Sequence, residues 1–134
     1  YASQKNYAAA YIWKVKLNEG AKVPAFFNVF PELNHNEMAG CSAKADSFSN
    51  VFHFIFLKDS NDHPRIKKRM EATEELYKAR GLEVSVLQLE GRTILHKLFS
   101  SLILADWTAL QLALKYEVDP EQVPVVEEFK KLIS

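Results

Sequence analysis

One cysteine, Cys41, stands in a sequence of 134 residues, so no disulfide can form within it and a zinc site would lack its usual thiol pairs. A single thiol fits a reducing compartment, and a cytoplasmic setting is expected. Charge of one sign is also missing, since 17 Lys and Arg balance 17 Asp and Glu. That balance argues against nucleic acid and against an anionic membrane surface as partners. No apolar run approaches the ~20 residues that cross a bilayer, and the basic-then-apolar start of a secretory leader is absent. Low-complexity tracts, internal repeats and linkers are lacking too. What is present is the composition of an ordinary globular domain, 48% hydrophobic and 25% charged, of a length that makes one domain with a real core. The chain opens at Tyr1 without a methionine, so a piece of something longer is expected.

Residues 5–17 place Tyr7, Ala8, Tyr11, Ile12 and Val15 on one face at helical spacing, and Asn18, Glu19 and Gly20 read as the helix end, with Gly20 able to take positive φ. "VPAFF" is a short strand candidate. "VFHFIFL" (51–57) is almost continuously apolar, which suits a strand covered on both faces. "KDSNDHPRIKKRM" then turns into a helix with Asp62 as N-cap and Pro64 in the first turn, running to about Arg80 and closed by Gly81. "EVSVLQL" (83–89) reads as a second strand and residues 93–116 as a long helix. A last helix is expected to start with Asp119 as cap, Pro120 at the first position and Gln122 completing a capping-box-like start. Strands alternating with helices of these lengths predict a three-layer α/β domain with a mostly parallel sheet. The first helix has no strand before it, which looks like an incomplete start.

In open α/β sheets ligands bind beyond the carboxyl ends of the strands. Two loops there carry chemistry: "ELNHNEMAG", with Asn34, His35, Asn36 and Glu37, and "KDSNDHPR", which delivers His63 to a helix start. Each has a plainer reading, a surface carboxylate in a polar turn and a histidine in a capping position. His53 reads as a core histidine within a strand, "RIKKR" as a solvated helix face, and Asp106 in "LILADWTAL" as a buried, paired structural carboxylate. The four histidines, His35, His53, His63 and His96, show no HxH or HExxH spacing, so a metal site is not expected.

Taken together, "WKVKLNEGAKVPAFFNVFPELNHNEMAG", "FLKDSNDHPRIKKR", "ADWTALQLAL" and "VDPEQVPVVEEFKKL" cover nearly the whole chain in order. They resemble the C-terminal half of the bifunctional phosphoglucose/phosphomannose isomerases, a family built from two sugar-isomerase (SIS) modules. The resemblance implies interconversion of aldose and ketose sugar 6-phosphates through an enediol, with no metal or organic cofactor. It implies Glu37 as the base between C1 and C2, positioned by Asn34 and Asn36. It further implies His63 as the ring-opening residue, reaching in from a partner subunit, and Lys130, or Lys131 one position on, as the active-site lysine. The family's phosphate loop and its enediolate-stabilising Arg belong to the N-terminal module, so that module and a homodimer are the implied partners. Val123 stands where a Thr contacting the sugar is expected, and Ala105 where a Gly is usual. A non-catalytic module that senses sugar phosphates is the alternative.

Overall fold

The computed structural model describes residues 1–41 and 51–134. Four parallel strands form one sheet in the order β2-β1-β3-β4. They are β1 (Ala2–Ser3), β2 (Val29–Phe30), β3 (His53–Lys58) and β4 (Glu83–Gln88). Among the described residues five α-helices accompany them: α1 (Tyr7–Glu19), α2 (Glu37–Gly40), α3 (Pro64–Ala79), α4 (Ile94–Lys115) and α5 (Pro124–Ile133). Side chains alternate across the strands, as the pleat requires. Ile55, Leu57 and Leu87 pack with Ala9, Ala10 and Trp13 of α1 and Ala105 of α4. Phe54, Phe56, Val84 and Val86 pack with Met70 and Tyr77 of α3. The sheet is therefore sandwiched between α1 and α4 on one side and α3 on the other, the three-layer arrangement expected.

Several local expectations are corrected. A strand does precede the first helix: Ala2–Ser3 lies between β2 and β3, too short to leave a periodic pattern. "VPAFF" carries no strand; the pairing falls just after it, at Val29–Phe30. The buried face of α1 is Ala9, Ala10 and Trp13, whereas Tyr7 and Tyr11 are half exposed and stack on each other over Phe27. The reason is the partner. Helix α4 presents Ser101, Ala105, Ala109 and Ala113 at every fourth position, and these small residues let the two helices approach closely while Trp13 Nε1–H donates to Ser101 Oγ at 2.9 Å. Ala105 is fully buried in that contact.

Gly20 is right-handed (φ −82°), and Lys22 takes the left-handed turn instead. Space is what requires a glycine at position 20: a Cβ there would lie 2.9 Å from the Lys16 carbonyl oxygen and 3.1 Å from Ala109 Cβ. Gly20→Ala is expected to lower stability by about 1–3 kcal/mol by prising α1 from α4, measured as a fall in the urea midpoint with an unchanged slope.

The caps differ as well. His63, not Asp62, caps α3, its Nδ1 accepting from Arg65 N–H at 3.2 Å. Asp62 is buried and turned inward to accept from Ser3 Oγ at 2.7 Å and from Asn6 Nδ2 at 3.3 Å. Helix α5 starts at Pro124 rather than Pro120, because Asp119 spends its carboxylate on Glu121 N–H in a turn. Asp106 is half exposed and paired with Lys16 at 2.7 Å, so it is structural without being buried. His53 is exposed, though its Nε2 is satisfied by Ser85 Oγ at 2.9 Å.

The end of β3 is tied down by a buried polar network. Asp59 is 2% exposed, and its carboxylate pairs with buried Lys97 of α4 and with Lys5 at 3.3 Å, and accepts from Asn6 Nδ2 at 3.3 Å and Asn61 N–H at 2.9 Å. Burial pushes this carboxyl up, but the bonds from Lys97, Asn61, Asn6 and Lys5 outweigh it and hold it at about 2.

Candidate active site

The loop after β2 turns through a cis Phe30–Pro31 bond into one 3-10 turn, Glu32–Asn34, which brings the chain back toward the residues that precede the strand. Glu37 opens α2, and Asn36 caps it, its Oδ1 accepting from Glu37 N–H at 2.6 Å. Asn36 Nδ2 donates to Glu32 Oε1 at 2.9 Å. Asn34 Nδ2 donates to Thr73 Oγ1 of α3 at 2.8 Å, anchoring the loop to the helix. His35 is exposed beside them. The two asparagines thus set the backbone around Glu37 and do not touch its carboxylate.

The group that does is Asn28, just before β2, whose Nδ2 donates to Glu37 Oε1 at 2.8 Å. The Tyr1 phenol lies against the same carboxylate. Burial first, and then the nearby Glu37 carboxylate, push the Tyr1 phenol well above its ordinary value. Neither residue was found from the sequence. Asn28 is one polar residue between two apolar ones, and its meaning appears only when the loop folds back.

His63 sits elsewhere. It caps the start of α3, whereas the surroundings of Glu37 belong to the far half of that helix: Thr73 holds Asn34, and Tyr77 senses the Glu37 charge. Ten and fourteen residues at 1.5 Å each place those positions about 15–21 Å along the axis from His63. One chain therefore does not bring Glu37 and His63 together. With Nδ1 engaged by Arg65 N–H, His63 presents Nε2 outward.

Lys130 lies on α5, exposed and paired with Glu127 at 2.7 Å, and Lys131 beside it is exposed too. Helix α5 buries none of its residues. Val123 is its N-cap, where a Thr hydroxyl could accept a helix N–H and a valine cannot. Two clefts, of about 260 and 110 Å³, run beside β4, the first under α4 and the second by Asp59 and α3; Glu37, His63 and Lys130 line neither. Among the described residues no three His, Cys, Asp or Glu side chains are grouped to hold a metal ion, and no helix is long and apolar enough to cross a membrane.

The site is thus a three-layer parallel α/β domain carrying an exposed carboxylate held by one amide. The family is then given by comparison: residues 1–133 match the model of the bacterial phospho-glucose isomerase C-terminal SIS domain, and the chain belongs to that family. Curated relatives named bifunctional phosphoglucose/phosphomannose isomerase include one from Aquifex aeolicus, 34% identical over 89% of this chain and 37% of the relative. One from Caldicellulosiruptor bescii is 35% identical over 91% and 36%, and one from Thermoplasma volcanium 36% identical over 100% and 42%. The chain thus spans about two-fifths of the length of the relatives it matches.

Proposed function

We propose that the chain is the C-terminal SIS module of an aldose–ketose isomerase acting on sugar 6-phosphates, interconverting glucose 6-phosphate, and mannose 6-phosphate where it is accepted, with fructose 6-phosphate. The observation that carries this reading is the Glu37 carboxylate, exposed yet held by Asn28, in a chain whose relatives bear that name. Glu37 takes the C1 proton of the ketose and returns it at C2, the enediol lying between the two steps. His63 moves a proton between the ring oxygen and O1 through Nε2. Lys130 assists at the ring oxygen once α5 is docked.

The work is shared between polypeptides. Glu37 and His63 lie far apart in one chain, so each active site takes its histidine from a second copy, and the N-terminal module supplies the phosphate loop and an Arg for the enediolate. Apolar faces exposed among the described residues support this. Phe99, Ile103 and Trp107 on α4 are each almost three-fifths exposed, and Val125, Phe129 and Leu132 on α5 are exposed as well, more apolar surface than a lone domain usually shows. A cytoplasmic setting accords with the single Cys41.

Mixing tests the arrangement. In the full-length protein, Glu37→Gln and His63→Ala are each expected to be nearly inactive. Reassociated in equal amounts, they should regain about a quarter of the parent activity, because half the dimers are hybrids with one intact site of two. No regain from verified hybrids would place Glu37 and His63 in the same chain's site. A parent protein that binds fructose 6-phosphate without converting it would instead establish the sensing module.

A further inference from the structure

We infer that Lys22 is a positioning residue for the reaction, the strut that fixes where α5 leaves the domain and so where Lys130 stands. The inference rests on the reading of Lys130 as the lysine at the ring oxygen and goes beyond it. Helix α5 buries none of its residues, so packing among the described residues does not aim it. Its aim comes from the connector, residues 116–123. That segment leaves α4 through a sharp turn, with Glu117 left-handed at φ 56° and Val118 N–H donating to the Ala113 carbonyl at 3.0 Å. Beyond the turn, among the described residues, a single hydrogen bond joins residues 119–134 to anything earlier in the chain: Lys22 Nζ donates to the Pro120 carbonyl at 3.1 Å.

The near end of that bond is firmly mounted. The same ammonium donates to the Glu19 carbonyl at the end of α1, where the negative end of the helix dipole favours a cation. Gly20 lies tight against Ala109 of α4. The loop that follows is pinned by Val23 N–H to the Leu17 carbonyl at 3.1 Å and by Ala25 N–H to Asn18 Oδ1 at 2.7 Å. Lys22 is half-buried and left-handed at φ 57°, a conformation uncommon for lysine. Lys130 lies six residues past Pro124, about 9 Å along the helix axis. A tilt of about 10° at the connector therefore displaces it by more than about 1 Å, and a shift of that size can cost about a hundredfold in a positioned step.

Lys22→Met removes the ammonium and keeps the stem. In the full-length protein it is expected to lower kcat for fructose 6-phosphate about tenfold, the worth of one hydrogen bond from a charged group, with KM within about twofold and an unchanged melting temperature. Placed on Lys130→Met, the same substitution should lower kcat by less than about twofold, since the group it aims is gone. A merely structural role would lower kcat equally in both backgrounds. Parent-like kcat in folded Lys22→Met, or an undiminished loss in the Lys130→Met background, would overturn the inference. If Lys22→Met does not fold, Lys22→Gln, which keeps a polar head but is too short to span from α1 to Pro120, carries the same test. Parent-like kcat in Lys130→Met alone would remove the reading of Lys130 itself, an outcome distinct from failure at Lys22.

Discussion

Replacing Glu37 by glutamine in the full-length protein is expected to lower kcat for isomerisation by about 10²–10⁴-fold, the range a positioned general base contributes. The substitution is close to a pure chemical change. The new side chain retains an amide oxygen that can accept from Asn28 Nδ2, and the backbone N–H at this position still meets Asn36 Oδ1. The side chain is exposed, so stability should move by less than about 0.5 kcal/mol. KM should change little, because the carboxylate acts on a C–H bond rather than on the groups that anchor the sugar phosphate. Steady-state kinetics with fructose 6-phosphate provide the measurement. A variant within tenfold of the parent would move the base to another residue.

The second large effect concerns stability. Lys97→Met is expected to destabilise the chain by about 3–5 kcal/mol, the cost of leaving a buried charge without its main partner. Asp59 and Lys97 are 2% and 6% exposed, and Lys97 is the group whose hydrogen bond does most to hold the Asp59 carboxyl at about 2. Lys5 and Asn6 remain at 3.3 Å but cannot replace it. Adding Asp59→Ala should recover part of the loss, since the second charge then goes too. Acid should act on the same network. The folded carboxyl lies below its ordinary 3.8, so its stabilisation is complete above about pH 4 and drains away as pH falls toward 2. Urea unfolding at several pH values, followed by the fluorescence of buried Trp13, would show this slope in the parent and a flatter one in Lys97→Met. A loss below about 1 kcal/mol in Lys97→Met would mean that the pair does not anchor the end of β3.

Strands β3 and β4 and helices α3 and α4 were legible because their signals are long and local: "VFHFIFL" and "EVSVLQL" are rich in strand-forming residues, and Gly81, at φ 76°, closes α3 where expected. The three-layer sheet and the family resemblance followed from the same stretches. What the sequence hid was decided by partners distant in the chain. The face of α1 was assigned to its large side chains, but close packing on α4 favours Ala9 and Ala10. Asp62 has the residue type of a cap, and Ser3 and Asn6, 59 and 56 positions away, claim its carboxylate. In the candidate site Glu37 was picked out by motif, while Asn34 and Asn36 were credited with the hold that belongs to Asn28. The separation of Glu37 from His63 within one chain was implied only by the family resemblance, since it depends on the loop after β2 doubling back.

The most direct test of the central claim is solvent labelling. The full-length protein converting fructose 6-phosphate in D₂O should yield aldose 6-phosphate carrying deuterium at C2, because the proton held by Glu37 exchanges with solvent while the enediol persists, and Glu37→Gln should lose this incorporation together with turnover. Conversion without any deuterium at C2, or labelling by Glu37→Gln at the parent's rate, would contradict proton transfer by Glu37.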